Sequence, residues 1–187
     1  VSFVGTGPGD AGLLTLRAVE KLAQADVVVT GRPAELAPFL THCRADAEIL
    51  DSSETDPVKL VTRAAKDGKR VVRLIAGDPG IGHGIAKETA ACARDDLLFE
   101  IVPGVSSITA VPTYAGIPLT DDKHGEVRVV DASAGGVDWE PHAASGATLV
   151  VIGAEHAVSE TAKAMISAGF PDSTPAAMTS LGTTTEQ

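Results

Sequence analysis

The chain has 187 residues, 44% of them hydrophobic and 3% aromatic, and a formal net charge of −10. That apolar content suits one or two compact units with sizeable cores and excludes a disordered chain. The negative balance argues against nucleic acid or an anionic membrane surface as partner, because both require basic patches.

Apolar runs such as residues 27–29 and 149–152 are far too short to cross a bilayer, and no charged-then-apolar leader is visible, so a cytoplasmic protein is expected. Cys43 and Cys92 lack CxxC spacing and have no histidines at zinc-ligand intervals, so neither a disulfide framework nor a metal site is expected.

In chain order, residues 2–5 read as a buried strand, followed by a glycine loop and a helix over 13–24 with Leu16, Val19 and Leu22 on one face. A strand at 27–30, a short helix at 34–40, a strand near 47–50 and a helix at 56–66 continue the alternation. The last has Pro57 in its first turn and stops at Asp67-Gly68. Residues 70–75 make a fourth strand, AGDPGIGHG a second glycine loop, and a helix runs to about Arg94.

Residues 97–102 then read as another buried strand, broken by Pro103-Gly104, with Ser106 and Ser107 where a helix begins. Such serines cap free N–H groups or offer hydroxyls to a ligand; taken alone, the pair is explained better by ordinary capping than by binding. Repeated βα alternation predicts an α/β fold with a largely parallel sheet, helices on both faces and ligands beyond the strands' carboxyl ends. After a polar linker at 121–125 a second alternation follows, with strands at 126–131, 149–152 and 176–180 and a helix at 156–168. Two domains are therefore expected, 1–120 and an incomplete 121–187.

The first glycine loop, VGTGPGD, has Asp10 where a dinucleotide fingerprint needs its third glycine. A carboxylate there repels pyrophosphate, Pro8 removes an N–H, and no acid closes the strand ending at Thr30. AGDPGIGHG lacks the Lys and Ser/Thr of a phosphate-binding P-loop. Asp78, between Gly77 and Pro79, suits an amine or hydroxyl ligand, or equally an Asx turn.

VGTGPGDAGLLTLRAVEKLAQADVVV, VVRLIAGDPGIG and VPGVSSITAVPTYAGIPLT, in this order and spacing, resemble the tetrapyrrole methylases, in particular the branch that C-methylates uroporphyrinogen III. The resemblance implies two α/β domains with a cleft between them, a homodimer, and S-adenosylmethionine (SAM) as methyl donor in that cleft. It implies methylation towards precorrin-2, sirohaem and cobalamin. By the same resemblance the donor meets Pro8, Ala76, Gly77, Asp78, Ile81, Ser106, Ser107, Gly153 and Gly182. SAM lacks the phosphates that both glycine loops are poorly built to hold. Arg17, Arg32 and Arg128 are candidates for orienting substrate carboxylates, with solvated surface arginine the alternative for each.

The pattern breaks on the acceptor side. Gly31 stands where close relatives have an aspartate proposed as proton acceptor, and DSSETD at 51–56 replaces a Gly-Lys pair with a proposed proton donor. Gly84 replaces an arginine, leaving His83 as the nearby ionisable group, and Asp121-Asp122 replace a basic pair. The catalytic residues are thus unassigned. Two accounts fit: a working methylase with a rewired acceptor pocket, as in the methylase half of fusions with uroporphyrinogen-III synthase, or a non-catalytic module that binds SAM or tetrapyrrole. A superfamily methylase with another acceptor is the remaining alternative.

Overall fold

The computed structural model describes residues 1–82, 85–179 and 182–184. Thr15 decides where the first helix starts: its hydroxyl accepts from Ala18 N at 3.1 Å, so a 3-10 turn at Ala11–Leu13 ends and α1 (Leu16–Gln24) begins three residues later. The expected helix from 13, with Leu16 and Val19 inward, is corrected by that cap. Ala18, Leu22 and Ala25 are the buried positions, and Leu16 is 91% exposed.

Five parallel strands make the first sheet: β1 (Ser2–Gly5), β2 (Val27–Thr30), β3 (Glu48–Asp51), β4 (Val71–Ile75) and β5 (Glu100–Val102), in the order β3-β2-β4-β1-β5. Between them run α1, α2 (Ala37–Leu40), α3 (Pro57–Lys66) and α4 (Ala86–Arg94). Asp56 starts α3 by accepting from Val58 N at 2.9 Å, with Pro57 at the first position, where no N–H is needed.

Period-two alternation splits the strand residues between two cores. Val4, Val28, Val72 and Leu74 pack with Ala18, Leu22, Leu36 and Phe39 on the α1–α2 face. Phe3, Val27, Val29, Val71 and Ile75 pack with Val61, Ala64 and Cys92 on the α3–α4 face. Fully burying each such valine or leucine contributes roughly 1.5–3 kcal/mol. The expected parallel sheet with helices on both faces is what forms.

Arg73 lies on the α3–α4 side of β4, between Val71 and Ile75, and its Nε donates to Glu88 Oε2 of α4 at 3.0 Å. The two side chains are only 15% and 7% exposed. Burial pushes the Glu88 carboxyl up, and the Arg73 guanidinium opposes that shift.

β5 differs from its expected form. It is an edge strand with Ile101 48% exposed, and its ladder with β1 starts at the pair Ser2–Glu100, leaving residues 97–99 outside the sheet. Residues 34–36 form a turn before the single helical turn of α2.

The chain divides into two compact units, Val1–Ala110 with Leu181–Gln187, and Val111–Ser180. The boundary falls within α5 (Ser107–Tyr114). The second unit holds β6 (Val127–Asp131), α6 (Glu140–Ala143), β7 (Thr148–Ile152) and α7 (Val158–Ser167), with β6 and β7 paired in parallel. The strand expected at 176–180 does not form over 176–179, where no neighbouring strand takes the main-chain groups, and Ser180 lies outside the described residues. Among the described residues no helix is long and apolar enough to cross a membrane.

At the amino ends of β2 and β4, Asp26 gathers the Arg70 guanidinium (2.8 Å), the Arg70 main-chain N–H (2.9 Å) and the Arg44 guanidinium (2.9 Å). The Arg70 hydrogen bonds, with Arg44 adding attraction, hold this carboxyl well below the usual aspartate range. A depressed folded-state value means stabilisation that is complete above the unfolded value and lost as pH falls through the folded one. Thermal midpoints measured between about pH 6 and pH 2 should therefore drop on the acid side. Asp26→Asn should lower the midpoint at neutral pH and flatten that acid limb.

Candidate functional site at the crossing of three loops

One place on the first sheet is topologically distinct. β1 connects through α1, on one face, towards β2; its neighbour β4 connects through α4, on the other face, towards β5. Adjacent strands whose connections part in this way leave a crevice at their carboxyl ends, where open α/β sheets take ligands.

The loops from these two strands are tied together. Gly7 N donates to Gly77 O at 3.1 Å and Gly77 N to Gly7 O at 3.0 Å, while Thr6 N donates to Ile75 O at 2.8 Å. Gly77 has φ +73°, a conformation that glycine adopts without steric cost.

The turn after β5 closes on the same point. A Cβ placed at Gly104 would overlap the Gly77 carbonyl oxygen and come 2.9 Å from Gly7 N; one at Gly5 would lie 2.5 Å from Gly77 O. Three chain segments meet with main chain directly on main chain.

Asp78 fastens this crossing. Its Oδ1 accepts from Gly80 N at 2.7 Å, the Asx turn foreseen as one of its roles, and its Oδ2 accepts from Gly104 N at 3.0 Å. One carboxylate thus ties the loop after β4 to the turn after β5. A carboxylate has about four acceptor sites, so a ligand N–H or O–H is compatible with both bonds.

Pro8 is half-buried beside the Gly7–Gly77 bridge, Ala76 and Gly77 follow β4, and Ile81 N closes the Asp78 turn by donating to Asp78 O at 3.1 Å. Ser106 caps α5: its Oγ accepts from Ile108 N at 3.3 Å and its carbonyl from Ala110 N at 2.9 Å. Ser107 is the first helical residue. Gly182 returns to the first unit, where a Cβ on Gly9 would lie 3.1 Å from its carbonyl oxygen. Gly153 belongs to the second unit, directly after β7, where a Cβ would press on Ser133 at 2.7 Å.

The three candidate arginines are each paired locally: Arg17 with Glu20 (3.6 Å), Arg32 with Glu35 (3.2 Å) and Arg128 with Glu126 (2.7 Å). Gly31 follows β2 with only Ser52 Oγ, at 3.7 Å, near a Cβ built there. The carboxyl of Asp51, the last residue of β3, is held below its usual range by hydrogen bonds from Ser53. Asp121 accepts from Lys123 N and His124 N in an exposed turn. His83 and Gly84 lie outside the described residues.

Two features went unread in the sequence. The arginine inside the apolar run VVRLI signalled a buried partner, which is Glu88. Thr183, whose Oγ1 accepts from Asp10 N at 3.2 Å, carried no signal beyond its place beside Gly182.

The sequence profile of the tetrapyrrole (corrin/porphyrin) methylases matches residues 1–187. The chain is 36% identical to siroheme synthase 2 of Serratia proteamaculans over its whole length and 35% identical to siroheme synthase of Neisseria meningitidis over 98% of it. It spans 43% and 41% of those relatives, less than half of each. Among solved structures, uroporphyrin-III C-methyltransferase from Thermus thermophilus, complexed with S-adenosyl homocysteine, superposes with a TM-score of 0.76 at 31% identity. That match covers 91% of this chain and 72% of the other. A cobalt precorrin-4 methyltransferase gives 0.82 at 26% identity, covering 90% and 74%. The chain belongs to the tetrapyrrole methylases.

Because the crossing has no room for a side chain, Gly104→Ala should cost about 2–3 kcal/mol or more, the range of overpacked cores. Urea denaturation would register this as a lower midpoint with an unchanged slope. The same change at Gly116, where a Cβ meets nothing within 4 Å, should cost only its positive-φ strain of about 1 kcal/mol.

Proposed function

We propose that this chain binds SAM at the β1–β4 crossing and transfers its methyl group to ring carbons of uroporphyrinogen III, towards precorrin-2, as a cytoplasmic homodimer. The observation that carries the proposal is the glycine crossing fastened by Asp78, which leaves main-chain groups and one carboxylate, but no cationic side chain among the described residues 76–82 and 104–107, around the crevice. That donor set fits a sulfonium compound bearing an amino group and ribose hydroxyls better than a nucleoside phosphate. The family and the Thermus structure with S-adenosyl homocysteine support the same ligand class.

When bound, the donor supplies an electrophilic methyl group to an in-line displacement by carbon. The residues of this chain then have three tasks. Ala76, Gly77 and Asp78 bind and orient the donor through main-chain groups and the Asp78 carboxylate. Pro8 and Ile81 present apolar surface that excludes water, and Ser106 and Ser107 set the start of α5 beside them; Gly153 and Gly182 are assigned to the same ligand. Positioning of this kind in a dry crevice supplies most of what methyl transfer needs.

A second reading, a module that binds the donor without turnover, is favoured by Gly31. Glycine has no side chain to take a proton, and a Cβ built there would meet only Ser52 Oγ within 4 Å, at 3.7 Å.

Calorimetric titration of the chain with S-adenosylhomocysteine should show saturable binding. Asp78→Ala should weaken it about tenfold or more, since the variant loses two hydrogen bonds, one of them the tie to Gly104. Asp10→Ala, which removes the 2.7 Å bond from Gly12 N, should have the smaller effect. Incubation with methyl-labelled donor and uroporphyrinogen III should then label the tetrapyrrole. Binding without label transfer would select the second reading.

A further inference from the structure

Residues 182–184 reach the first glycine loop from 173 positions away in the sequence, and three observations converge on them. Thr183 is only 2% exposed, and its φ of +70° is one that a β-branched residue adopts only when its surroundings hold it there. Its Oγ1 accepts from the Asp10 main-chain N–H at 3.2 Å. The Gly182 carbonyl and the Thr184 methyl lie so close to Gly9 that a Cβ there would come within 3.1 and 3.3 Å of them.

The first loop is anchored at both ends. Gly7 is bridged to Gly77 on one side, and Asp10 Oδ1 caps Gly12 N at 2.7 Å on the other. Between those anchors stand Pro8, which has no N–H to bind with, and Gly9, whose φ of +146° gives no steric resistance to movement. The Thr183 hydroxyl and the Gly182 carbonyl act on this stretch.

We propose that Thr183 is a positioning residue for donor binding: by gripping the Asp10 N–H it fixes Pro8 and Gly9 in the geometry the donor meets. This rests on the donor-binding reading above. Thr183 does not itself have to touch the ligand. The strained backbone of Thr183 is what aims its hydroxyl at the loop while keeping the Gly182 carbonyl against Gly9.

Thr183→Val preserves shape and branching and deletes the hydroxyl, and Thr183→Ser restores it. Native-state hydrogen exchange by NMR reads the Asp10 amide directly, and titration with S-adenosylhomocysteine reads the donor site. Thr183→Val should exchange the Asp10 amide at least about tenfold faster, leave the β4 amides at wild-type protection and weaken ligand binding about tenfold, the scale of one lost buried hydrogen bond. Thr183→Ser should stay within about twofold of wild type on both readouts. Gly9→Ala should reproduce the binding loss by pushing 182–184 off the loop.

Unchanged Asp10 exchange in Thr183→Val would overturn the grip, and faster exchange with unaltered ligand affinity would overturn the role in binding. Absence of binding by the wild-type chain would instead remove the donor reading, and this role with it, whatever the exchange result.

Discussion

Direct contact between three stretches of main chain governs this protein. At the carboxyl ends of β1, β4 and β5 the backbones around Gly5, Gly7, Gly77 and Gly104 meet so closely that no side chain fits at Gly5 or Gly104. Their polar groups must then satisfy one another or a fixed partner, because water is displaced from the contact. The Gly7–Gly77 bridge does this for two strands, and Asp78 does it for the third by accepting from Gly104. A sheet that ends in this way offers a ligand preset main-chain dipoles instead of mobile side chains.

The Arg73–Glu88 pair frames the same place from below. β4 carries a charge into an apolar face, and burial makes both charges costly unless each has the other. The guanidinium also donates from Nη1 to the main-chain oxygen of Leu74 at 3.0 Å, so α4, which follows the second glycine loop, is tied to the strand that precedes it. Both ends of that loop are thereby held, which suits a segment whose glycines contribute no rigidity of their own.

Charge divides the two halves of the proposed reaction. The donor crevice has no cation among its described side chains, as a sulfonium ligand requires. The loops after β2 and β3 carry Glu35, Asp51, Glu54 and Asp56, against Arg32 already engaged by Glu35. A polyanionic acceptor therefore meets an unfavourable field from these loops, and the glycine at position 31 offers no side chain of its own to carry a proton.

Local patterning in the sequence determined the alternation of strands and helices, the helix over about 56–66 with Pro57 in its first turn, the two-sided parallel sheet and the loops at its strands' carboxyl ends. These follow from spacing of apolar residues and from Gly and Pro, which act over a few positions. The start of α1 was legible only to within the reach of a cap, since Thr15 had to win over Leu13. The exposed edge at β5 depends on which strands stand beside it, which no local pattern encodes. Only the tertiary structure decided that Asp78 spans two loops, that Arg73 finds Glu88, and that Thr183 grips Asp10. Each of these joins residues 15 to 173 positions apart, and such contacts exist only once the sheet order has brought them together.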